Sequence, residues 1–349
     1  MNILLNPGPA NLSLKVKLAQ IVEDICPRES EFGLIMKQIC DDIVDLVEDN
    51  KEAKAVLFCG SGTLAIESVI SSVVGNDRLM VVVNGAYGER IVEMAKCHNL
   101  NFIEFESDYF SGIDFDKLDQ FIELQKPKYL AFVHSETTSG LLNSMCEVSR
   151  ICKKYDVKII ADCISSFGAY PISLKEADFI VATSNKNLQS VAGVSFVIAK
   201  EYNILNAKYS KSLYLDLKKQ YEFFRDNSQM RFTPPVQALY ALRCALLELK
   251  QEGLIGRYHR YLMNNLLLRE ELYKMGFDIY PKDSYGIIIT SVRLPKNVDF
   301  KKLHDYCRQN GITIYPSKIK NENMFRVANI GDINVADIKY FISILKEFL

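Results

Sequence analysis

Lys158-Ile159-Ile160-Ala161-Asp162 and, further on, Asp178-Phe179-Ile180-Val181-Ala182-Thr183-Ser184-Asn185-Lys186 decide the fold of this chain. Each is a short, apolar, β-branched run that gives way to polar residues. Such runs read as parallel strands buried on both faces. Asp162 then sits at the carboxyl end of one strand, and Lys186 sits in the turn after the other. In open α/β sheets, ligands bind outside the carboxyl ends of the strands. The acid and the lysine are therefore aimed at one crevice. Taken singly, an Asp at a strand end is commonly a cap and a Lys is commonly solvated, so the companions carry the argument.

Upstream, residues 55–59 form an apolar strand that runs into Gly60-Ser61-Gly62-Thr63 and then a helical pattern. A glycine-rich strand-to-helix turn presents free backbone N–H groups at a helix N-terminus, with the hydroxyls of Ser61 and Thr63 beside them. The plain alternative is an ordinary Ser/Thr N-cap. Residues 79–83 are the next strand, ending in Asn84-Gly85-Ala86-Tyr87-Gly88-Glu89-Arg90. There Tyr87 stands where its ring can stack on a flat heterocycle. The competing reading is a core tyrosine. A strand over 101–105 and a helix over 115–124 follow. Residues 129–133 form another strand, leading into His134-Ser135-Glu136-Thr137-Thr138-Ser139-Gly140. A helix over 148–155 precedes the Asp162 strand, and Ser165-Ser166-Phe167-Gly168 is a tight turn after it. Residues 193–198 read as a strand antiparallel to the Lys186 strand, because the connection is too short for a crossover helix.

At the start, Asn6-Pro7-Gly8-Pro9 is a rigid turn, and helical spacing runs over 14–24 and 30–48. Beyond Tyr202 the alternation stops. Arg231-Phe232-Thr233-Pro234-Pro235 breaks the chain before helical patterns over 236–250 and 254–274. Strands over 287–293, 312–315 and 325–328 follow, with helices over 300–310 and 335–348. The expected architecture is α/β. Residues 1–15 are an N-terminal segment, 16–240 a large parallel-rich sheet domain with helices on both faces, and 241–349 a smaller α+β C-terminal domain.

The 349 residues carry a net charge of −1, with 48% hydrophobic and 24% charged residues. That balance suits a globular chain and gives no field for nucleic acid or an anionic membrane. No apolar run approaches the ~20 residues of a membrane span. The first residues lack the basic and apolar regions of a signal peptide. Nine scattered cysteines, without a zinc-type doublet or a disulfide framework, fit a reducing cytoplasm. No metal site is expected.

One cofactor needs a lysine and an acid in one crevice: pyridoxal phosphate, which takes the lysine as its Schiff-base partner and the acid against its pyridinium nitrogen. The ordered set of stretches resembles the class V aminotransferases of pyridoxal-phosphate fold type I. Besides those quoted above, the set includes Leu141-Leu142-Asn143, Thr233-Pro234-Pro235, Ile314-Tyr315-Pro316 and Phe325-Arg326-Val327-Ala328-Asn329-Ile330-Gly331. The resemblance runs from residue 6 to 331. No single stretch is specific; their order is. Within the family the stretches are most similar to the branch that moves an amino group between 2-aminoethylphosphonate and pyruvate.

The resemblance implies roles. Lys186 would hold the cofactor and shuttle a proton, and Asp162 would keep the ring nitrogen protonated. Ser61, Gly62, Thr63 and Thr183 would hold the phosphate. Tyr87 would stack on the ring, and Thr138 would contact its surroundings. Thr233 would reach the phosphate of a neighbouring subunit's cofactor, which implies a homodimer with shared sites. Arg326 would clamp the acid group of the substrate with its planar fork, with Gly8 against the substrate. The implied partners are a small-molecule amino donor and a 2-oxo acid. Three positions depart from the family pattern: Ser190-Val191-Ala192-Gly193 where two glycines follow the lysine, Val236 for a threonine, and Ser139 for a threonine. The alternatives are another class V aminotransferase, acting on alanine, serine, glyoxylate or a small phosphorylated amine, a lyase or desulfurase of the same superfamily, and a non-catalytic domain. A desulfurase requires a cysteine in a mobile lid, and none stands in such a stretch.

Overall fold

The computed structural model describes residues 2–319 and 322–349. Its centre is a seven-stranded sheet in the order Ala53–Cys59, Val194–Lys200, Phe179–Thr183, Lys158–Asp162, Tyr129–Val133, Leu79–Val83, Phe102–Glu106. Val194–Lys200 is antiparallel to both neighbours, and the other pairings are parallel. That matches the expectation from the short connection after Lys186.

The apolar runs are continuous because both faces are covered. Leu57, Val82, Phe132, Ile159, Ala161, Ile180 and Phe196 point to one face, packed by the helices Ser30–Val44, Met145–Lys154 and Val236–Glu252. Val56, Val81, Val83, Ala131, Ile160, Val181 and Val197 point to the other, packed by Gly62–Val73 and Ala86–Cys97. This period-two division of one hydrophobic run between two cores is the signature of a doubly covered sheet.

A second, antiparallel sheet joins Asp278–Tyr280, Ile289–Arg293, Met324–Ala328 and Tyr315–Pro316. Its core is shared with the helices Leu254–Lys274, Phe300–Gln309 and Val335–Phe348. The N-terminal Ile3–Leu4 pairs in parallel with Ile312–Thr313, so the start of the chain is tied to its C-terminal part.

Several expected elements differ in extent. The helix expected over 14–24 stops at Leu18, since only Val16 of its apolar residues is buried while Leu14, Leu18 and Ile21 face outward. The helix expected over 30–48 ends at Val44. The strand expected over 312–315 is two pieces with different partners, Ile312–Thr313 against the N-terminus and Tyr315–Pro316 against Phe325–Arg326. Pro316 has no N–H to give a second neighbour, which suits an edge position. The helices Glu201–Leu205 and Leu217–Asn227 carried no clear signal.

Candidate active site

The strands of the large sheet that share one direction bring their carboxyl ends to one edge. There the structure gathers Ser61, Gly62, Thr63, Tyr87, Asp162, Thr183 and Lys186 around a single pocket, with Arg90, Ile164 and Asn185 as further walls.

Lys186 follows the Phe179–Thr183 strand and is 9% exposed. Its Nζ donates to Ser165 Oγ at 2.7 Å and lies 5.6 Å from the centre of the Tyr87 ring. Burial lowers its pKa from the ordinary lysine value, against the pull of Tyr87, Asp162 and Glu136. An amine poised toward its neutral form is what carbonyl chemistry and proton shuttling require. The loop behind it is fixed from three sides. Arg257 donates to the Asn187 carbonyl at 2.7 Å, Asn187 Nδ2 donates to the Ser165 carbonyl at 2.9 Å, and Ala10 N–H donates to the Asn185 carbonyl at 3.1 Å. Gly8 lies on the lysine itself: with φ at 124°, a Cβ there would stand 3.1 Å from Lys186 Cγ.

Asp162 ends its strand with one carboxylate oxygen accepting the Ile164 N–H at 2.9 Å. Burial pushes its pKa up to about 6, although that N–H, Lys186 and Arg90 all favour the charged form. A desolvated carboxylate with one free oxygen is suited to a cationic ring N–H.

Ser61 caps the Gly62–Val73 helix by position, yet its hydroxyl makes no cap hydrogen bond. Thr63 Oγ1 accepts from Arg90 at 3.4 Å, which leaves its own proton to donate. A Cβ at Gly62 would come within 2.6 Å of Ile164 Cδ1. Free hydroxyls and the first N–H groups of a helix of this length form an anion cradle. Thr183 lines the same pocket, with its hydroxyl shared between Asn185 Oδ1 at 2.9 Å and the Val194 carbonyl at 3.1 Å.

Tyr87 is set by the turn before its helix. Glu136 reaches beneath that turn, its two oxygens accepting the Thr138 N–H at 2.8 Å and the Tyr87 N–H at 3.3 Å. Gly85 has to be glycine there, because a Cβ would stand 2.3 Å from the Glu136 carboxyl carbon. Thr138 Oγ1 accepts the Ala86 N–H at 3.0 Å, so Thr138 steadies the Tyr87 turn and does not line the pocket. Burial raises the Tyr87 hydroxyl, but Lys186, Thr137 and Lys318 together more than offset this and bring it down to about 8.

Arg326 is 2% exposed on the small sheet. Its Nε donates to the Pro316 carbonyl at 2.9 Å and one terminal nitrogen donates to the Thr137 carbonyl at 2.7 Å. Among the described residues no carboxylate lies within ion-pair distance of it. A buried cation held only by neutral carbonyls leaves charge for an incoming anion. Thr233 is exposed on the turn before Val236–Glu252 and is not among the pocket residues of this protomer. His134 is structural: buried, bonded through Nδ1 to Ser166 Oγ at 3.0 Å, and pushed down to about 4 by desolvation.

Sequence reasoning assigned no role to Arg90, Glu136, Ser165 or Ile164. Arg90 carried a usable signal: it lies three residues after Tyr87 on one helix, hence on the same face, and its guanidinium sits 4.9 Å from that ring. The other three had none, because their positions depend on turns.

A proton-poised lysine, a desolvated carboxylate, an aromatic face and an anion cradle on a doubly covered parallel sheet define a pyridoxal-phosphate enzyme of fold type I. The profile of the class V aminotransferases ("Aminotransferase class-V") matches residues 17–315, and the chain belongs to that family. It is an aminotransferase with pyridoxal phosphate as cofactor. Among curated relatives, a 2-aminoethylphosphonate–pyruvate transaminase of Bacillus cereus (strain Q1) is 36% identical, covering 96% of this chain and 94% of its own. A bifunctional phosphonoacetaldehyde hydrolase/aminoethylphosphonate transaminase of Clostridioides difficile (strain 630) is 32% identical, covering 99% of this chain and 56% of its own. Among solved structures, an alanine–glyoxylate aminotransferase from Nostoc sp. superimposes with a TM-score of 0.92 at 25% identity, covering 99% of this chain and 95% of that one. Among the described residues no helix is long and apolar enough to cross a membrane, and no group of acidic, His and Cys side chains forms a metal site.

Proposed function

We propose that the chain moves an amino group between 2-aminoethylphosphonate and pyruvate, interconverting them with phosphonoacetaldehyde and L-alanine. The observation that carries the substrate reading is Arg326, a buried guanidinium with no carboxylate partner among the described residues. The names of relatives sharing about a third of its residues supply the chemistry of the anion.

When bound, pyridoxal phosphate supplies the carbonyl that takes up the amine and the ring that accepts the electron pair. This chain's residues do the rest. Ser61, Gly62 and Thr63 hold the phosphate through hydroxyls and helix N–H groups. Thr183 adds a wall to that cradle. Asp162 holds a proton on the ring nitrogen, and Tyr87 and Ile164 cover the heterocycle and exclude water. Lys186 Nζ, with Ser165 beside it, moves the proton at the substrate carbon. Arg326 orients the acid group of each substrate in turn, and Gly8 leaves room for the Lys186 side chain.

The proposed assembly is a homodimer in which Thr233 of one protomer completes the other's phosphate site. Leu14, Leu34, Leu213 and Leu247 are exposed, and the helices bearing Leu14 and Leu34 both pack on the helix bearing Leu247. Such leucines support burial against a second copy. Nine free thiols support a reducing, cytoplasmic setting.

The test is product formation. Enzyme loaded with pyridoxal phosphate, 2-aminoethylphosphonate and pyruvate should yield alanine and phosphonoacetaldehyde in equal amounts. Turnover of an alanine–glyoxylate or serine–pyruvate pair, with none for 2-aminoethylphosphonate, would move the chain to the alternative class V reading.

A further inference from the structure

Lys318 has no part in the proposed chemistry, yet the structure carries it to the rim of the site. It follows the edge strand Tyr315–Pro316 of the small sheet. Its ammonium donates to the Tyr87 hydroxyl at 3.2 Å and lies 4.4 Å from the centre of the Tyr87 ring. The segment bearing it is anchored. Ser317 N–H donates to the Met324 carbonyl at 3.0 Å, and Arg326 Nε donates to the Pro316 carbonyl at 2.9 Å. Arg326 and Lys318 therefore arrive from one antiparallel pair of strands, and Arg326 fixes the backbone two residues before Lys318. Among the described residues no carboxylate lies within ion-pair distance of Lys318.

The free donors of Arg326 set what remains to be done. Its Nε–H and one N–H of a terminal nitrogen are taken by backbone carbonyls. Three of its five N–H groups are left, and a guanidinium presents at most two of them side by side, enough for two oxygens of one acid group. A carboxylate is satisfied by that pair. The phosphonate of 2-aminoethylphosphonate, its second ionisation favoured by the nearby ammonium, carries close to two negative charges near neutral pH, as a phosphate monoester does, and has three acceptor oxygens. One oxygen and about one charge are left over.

We propose that Lys318 is the second cation of the acid-group subsite and selects a dianionic, three-oxygen group over a monoanionic one. Its flexible stem lets the ammonium leave the Tyr87 hydroxyl for the third oxygen, the role a compact point charge fills better than a fork. The 2-oxo acid needs only Arg326, so one site serves two substrates of different charge. This inference rests on the substrate reading proposed above.

The experiment uses holoenzyme in mildly alkaline buffer, where an alkylphosphonate has lost its second proton, and two non-reacting competitors of equal length, ethylphosphonate and ethanesulfonate, which then present three oxygens with about two charges and with one. Lys318 is exposed, so Lys318→Met is expected to fold and to keep its cofactor. Lys318→Met should weaken competition by ethylphosphonate about ten- to a hundredfold, as expected for losing a charge-assisted hydrogen bond. Ethanesulfonate inhibition and the KM of pyruvate should change by less than about threefold, and Lys318→Arg should restore most of the ethylphosphonate affinity. Equal losses for both competitors, or no loss for either, would overturn the role of Lys318. Wild-type enzyme that neither turns over 2-aminoethylphosphonate nor binds ethylphosphonate would overturn the substrate reading itself, and this inference with it.

Discussion

Asp162→Asn should stabilise the cofactor-free protein while disabling the enzyme. Burial lifts the Asp162 carboxyl from 3.8 to about 6, and two pKa units correspond to about 3 kcal/mol against the charged form in the fold. The sign follows from proton counting. Above about pH 6 the carboxylate is ionised in both the folded and unfolded chain, and the folded state bears the full penalty. Between about pH 4 and 6 the unfolded chain has released its proton and the folded chain retains it, so stability falls as pH rises. Below about pH 4 both forms are protonated and the penalty is gone. Asparagine carries no charge at any of these values and keeps an oxygen for the Ile164 N–H.

Urea unfolding of wild type and Asp162→Asn, both stripped of cofactor, should therefore show the variant more stable by up to about 3 kcal/mol near pH 7.5. The gap should close as pH falls toward 4. Holoenzyme should show the opposite ranking for cofactor affinity and a large loss of turnover, because the ring nitrogen loses its ionic partner. A variant no more stable than wild type near neutral pH, or a gain that is the same at all pH values, would refute the claim that Asp162 is held charged at a cost.

Four other outcomes follow from the geometry. Lys186→Ala should keep the fold and lose turnover, and borohydride reduction of wild type should leave the pyridoxyl group on Lys186; peptide mapping that finds it elsewhere overturns the assignment. Arg326→Lys keeps the charge and loses the fork, so kcat/KM for both substrates should fall roughly ten- to a hundredfold with the cofactor retained; a collapse of melting temperature at unchanged kinetics per folded site would make the arginine structural. Gly88→Ala places a Cβ 2.6 Å from the Val82 carbonyl oxygen, and the strain should destabilise the protein by about 1–3 kcal/mol in chemical denaturation; an unchanged midpoint would contradict that packing. Mixing Lys186→Ala with Thr233→Ala protomers should restore some active sites if Thr233 serves its partner's cofactor, and a fully active monomer on a sizing column would refute the shared site.

The sheet was legible because its strands are buried on both faces, which writes them as unbroken β-branched runs such as Lys158–Asp162 and Phe179–Thr183. Helices were legible where one stripe met a core, as in Leu254–Lys274 and Val335–Phe348. Leu217–Asn227 escaped because only Leu217, Gln220 and Tyr221 are buried, too few for a periodic signal. Residues 14–24 misled for the opposite reason: Leu14, Leu18 and Ile21 keep helical spacing on a surface that faces no core of this chain. The pocket residues were legible where they follow strand ends. Glu136 and Lys318 were not, since one is placed by a two-residue hairpin arm and the other by the packing of the small sheet.

The charges explain why the site needs both parts of the chain. Lys186 and Asp162 belong to the large sheet, and burial pushes each toward its neutral form. An amine biased toward its neutral form beside a desolvated carboxylate is suited to proton transfer but has no hold on an anionic substrate. The small sheet supplies Arg326, and its guanidinium reaches across to the Thr137 carbonyl, one residue beyond Glu136. Glu136 in turn holds the backbone of Tyr87, and Lys318 rests on the Tyr87 hydroxyl. In the proposed mode an anion on Arg326 would meet the same short chain of contacts that sets the aromatic wall of the pocket. In the proposed binding mode the acid-group subsite and the aromatic wall are linked by contacts through residues Glu136 to Thr138.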